Sequence, residues 1–327
     1  MAHKAFVRPL LTVLAASLLT FNVQAAPLII GYQTGVDPSK VAQADGTYEK
    51  AIGETIDWRR FNSGPEVVTA LASGDVQIGN LGSSPLAAAA SRKVPIVAFI
   101  VAAQINSAEA LVVRDGSGIV NPQDLVGKTI ATPFVSTSHY SLLGALKQWG
   151  LEGKVKVVNL QPLQIAAAWK RGDIDGAFVW SPALGEIRKT GKVLTDAAEV
   201  GRWGAPTFEV WVARKDYAEK HPQVIAQFAK VTLDAFADYA AHKAQWTADS
   251  EQVKKIARLT GSNAQDVPDL LAGSDYPDTQ AQRSSALLDG GTATAIHKTA
   301  SFLKEQGKVE TVLSDYSPYV SAQYIKH

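Results

Sequence analysis

The stretch that decides the fold is residues 70–85, ALASGDVQIGNLGSSP. Its first residues favour a helix, its Gly-Asp pair predicts a turn that ends the helix, and the apolar residues that follow predict a buried strand. Residues 168–182, AWKRGDIDGAFVWSP, show the same order of features later in the chain, and both copies end in a Ser-Pro pair. A helix–turn–strand unit alone is an ordinary connection, but the matched Ser-Pro loops favour two related lobes that face a common cleft.

Strands and helices alternate along the rest of the chain. Residues 27–32, 54–61, 94–101 and 109–114 are predicted strands. Residues 41–52 are a predicted helix, and a second predicted helix over 63–73 ends at Gly74. This alternation predicts an α/β fold with largely parallel sheets covered by helices, in which sites gather at the carboxyl ends of the strands. A chain of 327 residues is longer than one core usually takes, so two lobes are expected.

Residues 134–150, FVSTSHYSLLGALKQWG, predict an amphipathic helix that opens on a run of hydroxyl residues. The first N–H groups of a helix lack partners within it and lie at the positive end of its dipole. Ser136, Thr137 and Ser138 therefore indicate a cradle for a small oxyanion such as sulfonate, sulfate, phosphate or carboxylate. The alternative is that these residues only cap the helix.

Residues 1–25 form a predicted secretory leader. Basic residues precede an apolar stretch over Leu10–Phe21, and small residues precede Ala26, the predicted first residue of the mature chain. The apolar stretch is too short to span a bilayer. The sequence contains no cysteine, so neither a lipid anchor nor a disulfide is available. The expectation is a soluble exported protein, most simply periplasmic.

Charge limits the partners further. The formal net charge is +1 and no block of like charge occurs. This balance argues against nucleic acid or an anionic membrane surface as the main partner. Recognition by charge must then be local, which suits a small ligand.

Motifs for cofactor and metal chemistry are missing from the sequence. There is no P-loop, and the glycines at 116 and 118 lack the third glycine of a dinucleotide-binding fingerprint. The six histidines are scattered, so no metal site is expected. A Ser/His/Asp triad stays open because its members need not be close in sequence, although no nucleophile elbow supports one. His139, beside the three hydroxyls, is the candidate base.

Two more side chains are candidate ligand contacts. Trp180 ends a predicted strand just before Ser181, so its ring is expected either in the core or at the cleft mouth, where it would shield an alkyl segment or face an ammonium group. Glu209 lies in the predicted strand over 207–214, where a buried carboxylate needs a partner. That partner is either an arginine or the ammonium group of a ligand.

Six strings spread over the mature chain carry a resemblance to a known family. They are YQT (32–34), KVAQAD (40–45), ALASGDVQIGNLGSSPL (70–86), STSHYSLL (136–143), GDIDGA (172–177) and WGAPT (203–207). With them the sequence resembles the periplasmic taurine-binding proteins of ATP-driven importers, within a broader group that includes binding proteins for other aliphatic sulfonates, nitrate and thiamine precursors. One departure is Glu209, where an Asp is expected in these proteins.

The resemblance implies a two-lobed periplasmic binding protein fold of type II, with each lobe a mostly parallel sheet flanked by helices and the ligand in the cleft between them. Lobe 1 would comprise residues 26–112 and 210–327, and lobe 2 residues 113–209. The chain would be a monomer without a cofactor or metal. It would deliver taurine to the membrane permease of an importer whose ATPase is a separate subunit.

Taurine is a zwitterion, so the implied site has two halves. The sulfonate is expected at two helix starts, and the ammonium at Glu209 with help from Gln33 or Glu109, while Trp180 borders the ligand. The residues expected at the helix starts are Ser83, Ser84, Ser136, Thr137, Ser138, His139 and Tyr140. A binding protein for other aliphatic sulfonates, or an exported enzyme acting on a small anion, stay open as alternatives.

Overall fold

A computed structural model of the chain describes residues 27–326 together with residues 1 and 3. The predicted leader over residues 1–25 lies outside the described residues, apart from those two positions. Within the part of the chain that the structure describes, no helix combines the length and the apolar character needed to cross a membrane.

The described strands form a six-stranded sheet and a five-stranded sheet. The strands are β1 (Leu28–Tyr32), β2 (Ile56–Arg60), β3 (Ile78–Gly82), β4 (Ile96–Ile105), β5 (Glu109–Arg114), β6 (Thr129–Thr132), β7 (Lys156–Asn159), β8 (Gly176–Trp180), β9 (Gly191–Asp196), β10 (Thr207–Arg214) and β11 (Ser274–Asp275). The α-helices are α1 (Ser39–Ala44), α2 (Thr47–Ile52), α3 (Gly64–Ser73), α4 (Ser83–Ser91), α5 (Thr137–Gln148), α6 (Pro162–Arg171), α7 (Ala183–Arg188), α8 (Ala197–Arg202), α9 (Lys215–Lys220), α10 (Pro222–His242), α11 (Glu251–Thr260), α12 (Val267–Ala272), α13 (Thr279–Gln282) and α14 (Gly291–Glu305).

Each sheet combines parallel strands with one reversed inner strand, and the two-residue edge strand β11 of the first sheet is also antiparallel to its neighbour β4. The first sheet has the order β11-β4-β10-β3-β1-β2, and the second has the order β7-β6-β8-β5-β9. Strand β1 pairs in parallel with β2 and β3, and β6 pairs in parallel with β7 and β8. Strand β10 is antiparallel to β3 and β4, and β5 is antiparallel to β8 and β9. The predicted α/β fold class with two helix-flanked sheets is confirmed, although the sheets are mixed rather than largely parallel.

The reversed inner strands, β5 and β10, are the first strands that the chain forms after it crosses from one sheet to the other. Strand β5 is the first strand of the second sheet after the chain leaves β4, and β10 is the first strand after the return to the first sheet. We call the parts built on the first and second sheets lobe 1 and lobe 2. The lobe boundaries predicted at 112/113 and 209/210 fall inside β5 and β10, so the chain changes sheet a few residues earlier at both crossings.

The repeated Gly-Asp turn ends a helix in both lobes. Gly74 closes α3 with φ of 90° and Gly172 closes α6 with φ of 83°, both in the left-handed region that favours glycine. The helix expected over 41–52 is instead divided into α1 and α2. The division occurs at Gly46, whose φ is 62°.

Apolar side chains cover both faces of the second sheet. Leu111 of β5 and Phe178 of β8 join a cluster that contains Leu142 of α5. Their strand neighbours Val112 and Val179 point to the opposite face and join a second cluster with α6 and α7. Because successive strand residues alternate in direction, this burial on both faces explains the nearly continuous apolar sequence of β5 and β8. The sheet is therefore rigid enough to fix the polar residues at its edge.

Candidate functional site

Two small cavities lie between the lobes, with volumes of about 30 and about 10 Å³, and both are bordered by Glu109, Trp180 and Glu209. We call them together the inner cleft. The other lining residues are Gln33, Gly35, Val36, Asp37, Gly64, Gly82, Pro85, Ala102, Ala103, Ile105, Ala108, Ser136, Thr137, Ser181, Leu270 and Ser274. Among these are the residues that follow β1 and β8, as expected for the carboxyl ends of strands in an α/β fold.

The structure brings six of the predicted site residues to the inner cleft. They are Gln33, Glu109, Ser136, Thr137, Trp180 and Glu209. The other five, Ser83, Ser84, Ser138, His139 and Tyr140, are not among its lining residues. The site therefore combines both lobes, because Gln33 and Glu209 belong to lobe 1 and the other four to lobe 2.

Glu109 is the most deeply buried carboxylate of the inner cleft. Only 4% of the residue is exposed. Thr137 donates a hydrogen bond to its Oε1 over 2.6 Å, and Ser138 donates one to its Oε2 over 2.8 Å. Burial dominates over these two hydrogen bonds and, together with the charge of Glu209, raises the pKa of Glu109 to about 7. The carboxyl is thus held in place by two hydroxyls and is poised to change charge near neutral pH.

The hydroxyl groups at the start of α5 all have hydrogen-bond partners within the protein, and their contact with an oxyanion stays a prediction. Ser136 caps the helix, since its Oγ accepts from the N–H of His139 over 3.1 Å and donates to the carbonyl oxygen of Pro133 over 2.6 Å. The hydroxyl groups of Thr137 and Ser138 donate their hydrogen bonds to Glu109. What remains available for an anion is the backbone, because the N–H groups of Thr137 and Ser138 have no hydrogen-bond partner among the described residues.

Three helix starts meet at the smaller cavity of the inner cleft. Gly64 opens α3, Gly82 precedes α4, and Ser136 precedes α5. The two lobes touch closely here, since a Cβ added to Gly82 would lie 2.5 Å from Cγ2 of Thr137. The helix dipoles place partial positive charge at this end of the inner cleft, although no Lys or Arg lines it within the described residues.

Glu209 reaches the inner cleft from β10. The residue is partly buried, and a Cβ added to Gly35 would lie 3.5 Å from its Oε1. Burial raises the pKa of Glu209, the charge of Asp37 adds to this, and Lys40 and a hydrogen bond from Asn80 act in the opposite direction. No arginine pairs with this carboxylate in the described ion pairs.

Sequence reasoning missed Asp37 and Lys40, which form a buried ion pair at the floor of the inner cleft. The Nζ atom of Lys40 lies 3.4 Å from Oδ2 of Asp37, and only 1% of Lys40 is exposed. The ammonium group also faces the ring of Tyr32 at 5.0 Å and that of Trp211 at 5.9 Å. The signal in the sequence was an Asp three residues before a Lys at a helix start, which is common on solvated surfaces. Their burial depends on α10 and β10, far away in the chain.

The two serines of the Ser-Ser-Pro string are fully buried behind the inner cleft. Ser83 Oγ accepts a weak hydrogen bond from the N–H of Phe208 over 3.4 Å. Ser84 Oγ is buried without a hydrogen-bond partner among the described residues. The Ser83 hydroxyl thus contacts β10, and the role of both serines as ligand contacts stays a prediction.

His139 and Tyr140 point away from the inner cleft. The His139 ring stacks on Phe134 at 4.5 Å, and its Nδ1 accepts from the N–H of Val135 over 3.1 Å. Burial and the charge of Lys308 lower the pKa of His139 to about 4, so the imidazole is neutral at physiological pH. The Tyr140 ring packs edge-on against Phe302 of α14 at 4.9 Å. Neither side chain is placed to act on a molecule in the inner cleft.

The inner cleft therefore has two chemically different ends. Glu109 and Glu209, with Asp37 beside them, present carboxylates, and the starts of α3, α4 and α5 present positive helix ends. Trp180 borders both cavities and is only 8% exposed. Within residues 27–326 no cluster of His, Cys, Asp and Glu has the arrangement of a metal site. The arrangement suits a small molecule with a cationic group and an anionic group held a short distance apart.

Comparisons with known proteins agree with this geometry. A family model described as the substrate binding domain of an ABC-type glycine betaine transport system matches residues 26–258. The chain is 54% identical over 317 residues to a taurine-binding periplasmic protein of Escherichia coli strain K12, covering 96% of this chain and 98% of that protein. These similar proteins are substrate-binding proteins.

Solved structures show the same fold at lower identity. The crystal structure of the periplasmic aliphatic sulphonate binding protein SsuA from Escherichia coli matches with a TM-score of 0.73 and 24% identity, over 92% of this chain and 99% of that chain. The crystal structure of the desulfurization enzyme DSZB matches with a TM-score of 0.60 and 14% identity, over 91% of this chain and 97% of that chain. The fold itself is therefore compatible with both binding and catalysis.

Proposed function

The chain belongs to the family of substrate-binding domains of ABC-type glycine betaine transport systems, and from this premise we propose that it captures taurine and delivers it to an ABC importer. The observation that carries the choice of ligand is the opposition of two carboxylates and three helix starts around one small cleft. Taurine has an ammonium group and a sulfonate group joined by two methylene groups, which matches a cleft with one acidic end and one end that favours anions.

The proposed orientation assigns each half of taurine to one end of the inner cleft. The ammonium group lies between Glu209 of lobe 1 and Glu109 of lobe 2 and so joins the two lobes. The sulfonate oxygens accept from free backbone N–H groups at the start of α5, supported by the dipoles of α3 and α4. Trp180 covers the methylene groups. In this arrangement Thr137 and Ser138 act indirectly, since their hydroxyls orient Glu109.

Gln33 also contributes through position. Its Nε2 donates to the carbonyl oxygen of Asn80 over 3.1 Å, which fixes the amide at the lining of the inner cleft. The amide oxygen accepts no hydrogen bond from the described residues and can accept one from a ligand. That oxygen is a third acceptor for the ammonium group.

Simple arithmetic bounds the affinity. Hydrogen bonds to charged groups contribute about 1.5–3 kcal/mol each. A ligand of about seven heavy atoms has a ceiling near −10 kcal/mol, from about 1.5 kcal/mol per atom. The dissociation constant should therefore be no tighter than roughly tens of nanomolar.

The working context follows from the proposed role. The predicted leader exports the chain to the periplasm, where it acts as a monomer without a cofactor and without nucleic acid as a partner. Closure of the lobes around taurine signals occupancy to a membrane permease, and ATP is hydrolysed by a separate subunit. A relative named for taurine binding that covers almost the whole chain supports this context.

We propose binding without chemical conversion. No Cys, His, Lys or Arg is among the lining residues of the inner cleft in the described chain. The Nδ1 of His139 accepts from the N–H of Val135, and no imidazole is hydrogen-bonded to the hydroxyl of Ser181 or Ser136 in the described residues. Glu109 is the group an enzyme on this fold would use as a base. Prolonged incubation with taurine followed by proton NMR should therefore return taurine unchanged, and any product would establish an enzyme.

Calorimetric titration of the mature chain, unfolded and refolded to remove carried-over ligand, tests the proposal. The titrants are taurine, ethanesulfonate, sulfate and nitrate. Taurine should bind one to one and far more tightly than ethanesulfonate, because only taurine uses the acidic end. Equal affinities would mean a binding protein for aliphatic sulfonates in general, without an ammonium site. No heat with either sulfonate would contradict the proposed ligand class.

A further inference from the structure

A second, larger opening lies outside the inner cleft on the boundary between the lobes. We call it the outer groove; its volume is about 330 Å³. Residues of both lobes line it, among them Thr34, Arg60 and Asn62 of lobe 1 and Lys170, Ser181 and Glu186 of lobe 2. Ser181 borders both the inner cleft and the outer groove, so the two spaces are separated at this residue.

A hydrogen bond joins the two lobes at this separation. Thr34 Oγ1 donates to the carbonyl oxygen of Ser181 over 3.1 Å. Thr34 lies in the loop after β1 of lobe 1, and Ser181 lies directly after β8 of lobe 2. Thr34 lines the outer groove but not the inner cleft. Its hydroxyl thus ties the lobes together beside the proposed ligand without bordering the ligand's space.

The neighbours of both partners are residues of the proposed site. Gln33 precedes Thr34 and lines the inner cleft, and Gly35 follows it and packs against Glu209. Trp180 precedes Ser181 and lines both cavities of the inner cleft. Separation of Thr34 from Ser181 would therefore move the two strand ends that carry Gln33 and Trp180 apart.

We propose that Thr34 is a positioning residue that holds the lobes closed over the bound ligand through this hydrogen bond, and so sets how slowly the ligand leaves. The inference rests on the proposed function for the identity of the ligand. A bond that forms only when the lobes meet favours the closed arrangement, whichever ligand is inside. Its loss should speed dissociation of every ligand by the same factor and leave selectivity unchanged.

Three variants separate this role from its alternatives. Thr34→Val removes the hydroxyl at nearly constant shape, and Thr34→Ser keeps it. Thr294→Val is the matched control, because the hydroxyl of this exposed residue also donates to a backbone carbonyl, that of Gly290 over 3.2 Å, but within lobe 1. Stopped-flow measurements give the dissociation rate constants of taurine and ethanesulfonate.

Thr34→Val should raise both dissociation rate constants by about fivefold, the value expected for one neutral hydrogen bond. Thr34→Ser and Thr294→Val should stay within about twofold of the unchanged chain, which is less than the contribution of one such bond. Faster release of taurine alone would overturn the proposal, because it would mean that Thr34 contacts the ammonium group. Unchanged release of both ligands would overturn it as well.

A second measurement does not depend on either sulfonate being the ligand. The chain contains no cysteine, so Glu54→Cys on lobe 1 and Ala167→Cys on lobe 2, both exposed, accept one spin label each. Thr34→Val should broaden the distribution of distances between the labels toward longer values, and Thr34→Ser should restore it. An identical distribution in Thr34→Val would overturn the proposal. If no sulfonate binds, the proposed function fails while this measurement still decides the role of Thr34.

Discussion

Glu209 is the residue at which charge should decide between ligands. It reaches the inner cleft from β10 without an arginine partner in the described ion pairs, and an ammonium group would fill that role. Glu209→Gln should weaken taurine at least tenfold, about the contribution of one charge-assisted hydrogen bond, while ethanesulfonate changes little. Calorimetry on both ligands measures the difference.

The control for this prediction is Glu54→Gln, which removes an exposed carboxylate from the same lobe. It should leave both affinities unchanged and so exclude a general effect of net charge. Equal losses for taurine and ethanesulfonate in Glu209→Gln would remove the ammonium role from this residue.

Glu109 should link taurine binding to pH. Burial raises its pKa to about 7, so the folded chain holds a proton there that an unfolded chain has lost above its ordinary pKa of 4.5. This group's contribution to folding stability is therefore greatest at low pH and falls as pH rises from 4.5 through 7. The pH dependence of taurine binding has the opposite sign to that of folding stability. The ammonium group favours the ionised carboxylate, so the proton leaves on binding and affinity rises with pH.

Taurine should bind about 30-fold more weakly at pH 5.5 than at pH 8, from a tenfold change per pH unit below a pKa near 7. The gain should level off by pH 8, where the Glu109 carboxyl is almost fully ionised. Ethanesulfonate has no ammonium group and should not gain affinity over this range. Glu109→Gln should flatten the taurine profile below pH 7, and a profile that keeps its slope in this variant would assign the proton to another group.

For single residues, the sequence pointed to side chains that line the inner cleft, but it did not show which contacts they make. Glu209 and Trp180 were singled out because a carboxylate and a tryptophan stand out within apolar strands, and Glu109 was named only as a helper of Glu209 at the ammonium group. The roles of Thr137 and Ser138 could not be found, because their partner Glu109 lies on a different strand. Asp37 and Lys40 were missed because an ion pair three residues apart gives no sign in the sequence that later elements will bury it.

Among the elements, the starts of α4 and α5 form a close contact between the lobes. Gly82 precedes α4, and a Cβ there would lie 2.5 Å from Cγ2 of Thr137, which opens α5 in the other lobe. Gly82→Ala should hold the lobes apart and weaken taurine and ethanesulfonate alike by more than about tenfold, since one steric misfit typically costs 1–3 kcal/mol. Each lobe should still fold, because the clash lies between them.

Gly201→Ala in α8 is the comparison for this variant, since a Cβ at that position meets only ordinary contacts beginning at 3.4 Å from Pro206. Calorimetry gives the affinities, and circular dichroism confirms folding in both variants. Unchanged affinity in Gly82→Ala would show that the helix starts do not need to meet for a ligand to bind.

Local signals predicted elements well where one residue decides the outcome. The left-handed glycines at 74 and 172 end α3 and α6 as expected, and β5 has the predicted bounds. The reversed directions of β5 and β10 could not be inferred, because strand direction depends on where the chain crosses between sheets. The division between α1 and α2 follows from Gly46, whose preference for a positive φ is weak evidence before the fold is known.

For the whole molecule, a ligand that touches both lobes should stabilise them together. Taurine at 100 times its dissociation constant should raise the free energy of unfolding by about 2.7 kcal/mol, by mass action alone. Differential scanning calorimetry should show one transition that moves to higher temperature. If only part of the heat absorption moves, taurine contacts one lobe and the proposed bridging position is wrong.

The two-lobed architecture was accessible from sequence because the helix–turn–strand unit occurs twice with the same Ser-Pro loop. The positions at which the chain crosses from one sheet to the other were harder to predict from the sequence. Strands β5 and β10 begin before the predicted boundaries, since nothing in an apolar strand says which sheet it joins. The burial of the Asp37–Lys40 ion pair, the meeting of the helix starts and the hydrogen bond from Thr34 to Ser181 all depend on contacts between distant segments.

The most direct test of the central claim is a crystal structure of the mature chain with taurine. Taurine should lie in the inner cleft with its nitrogen about 3 Å from carboxylate oxygens of Glu209 and Glu109. Its sulfonate oxygens should lie at a similar distance from the N–H groups of Thr137 and Ser138. A ligand in the opposite orientation, or one bound in the outer groove, would contradict the account.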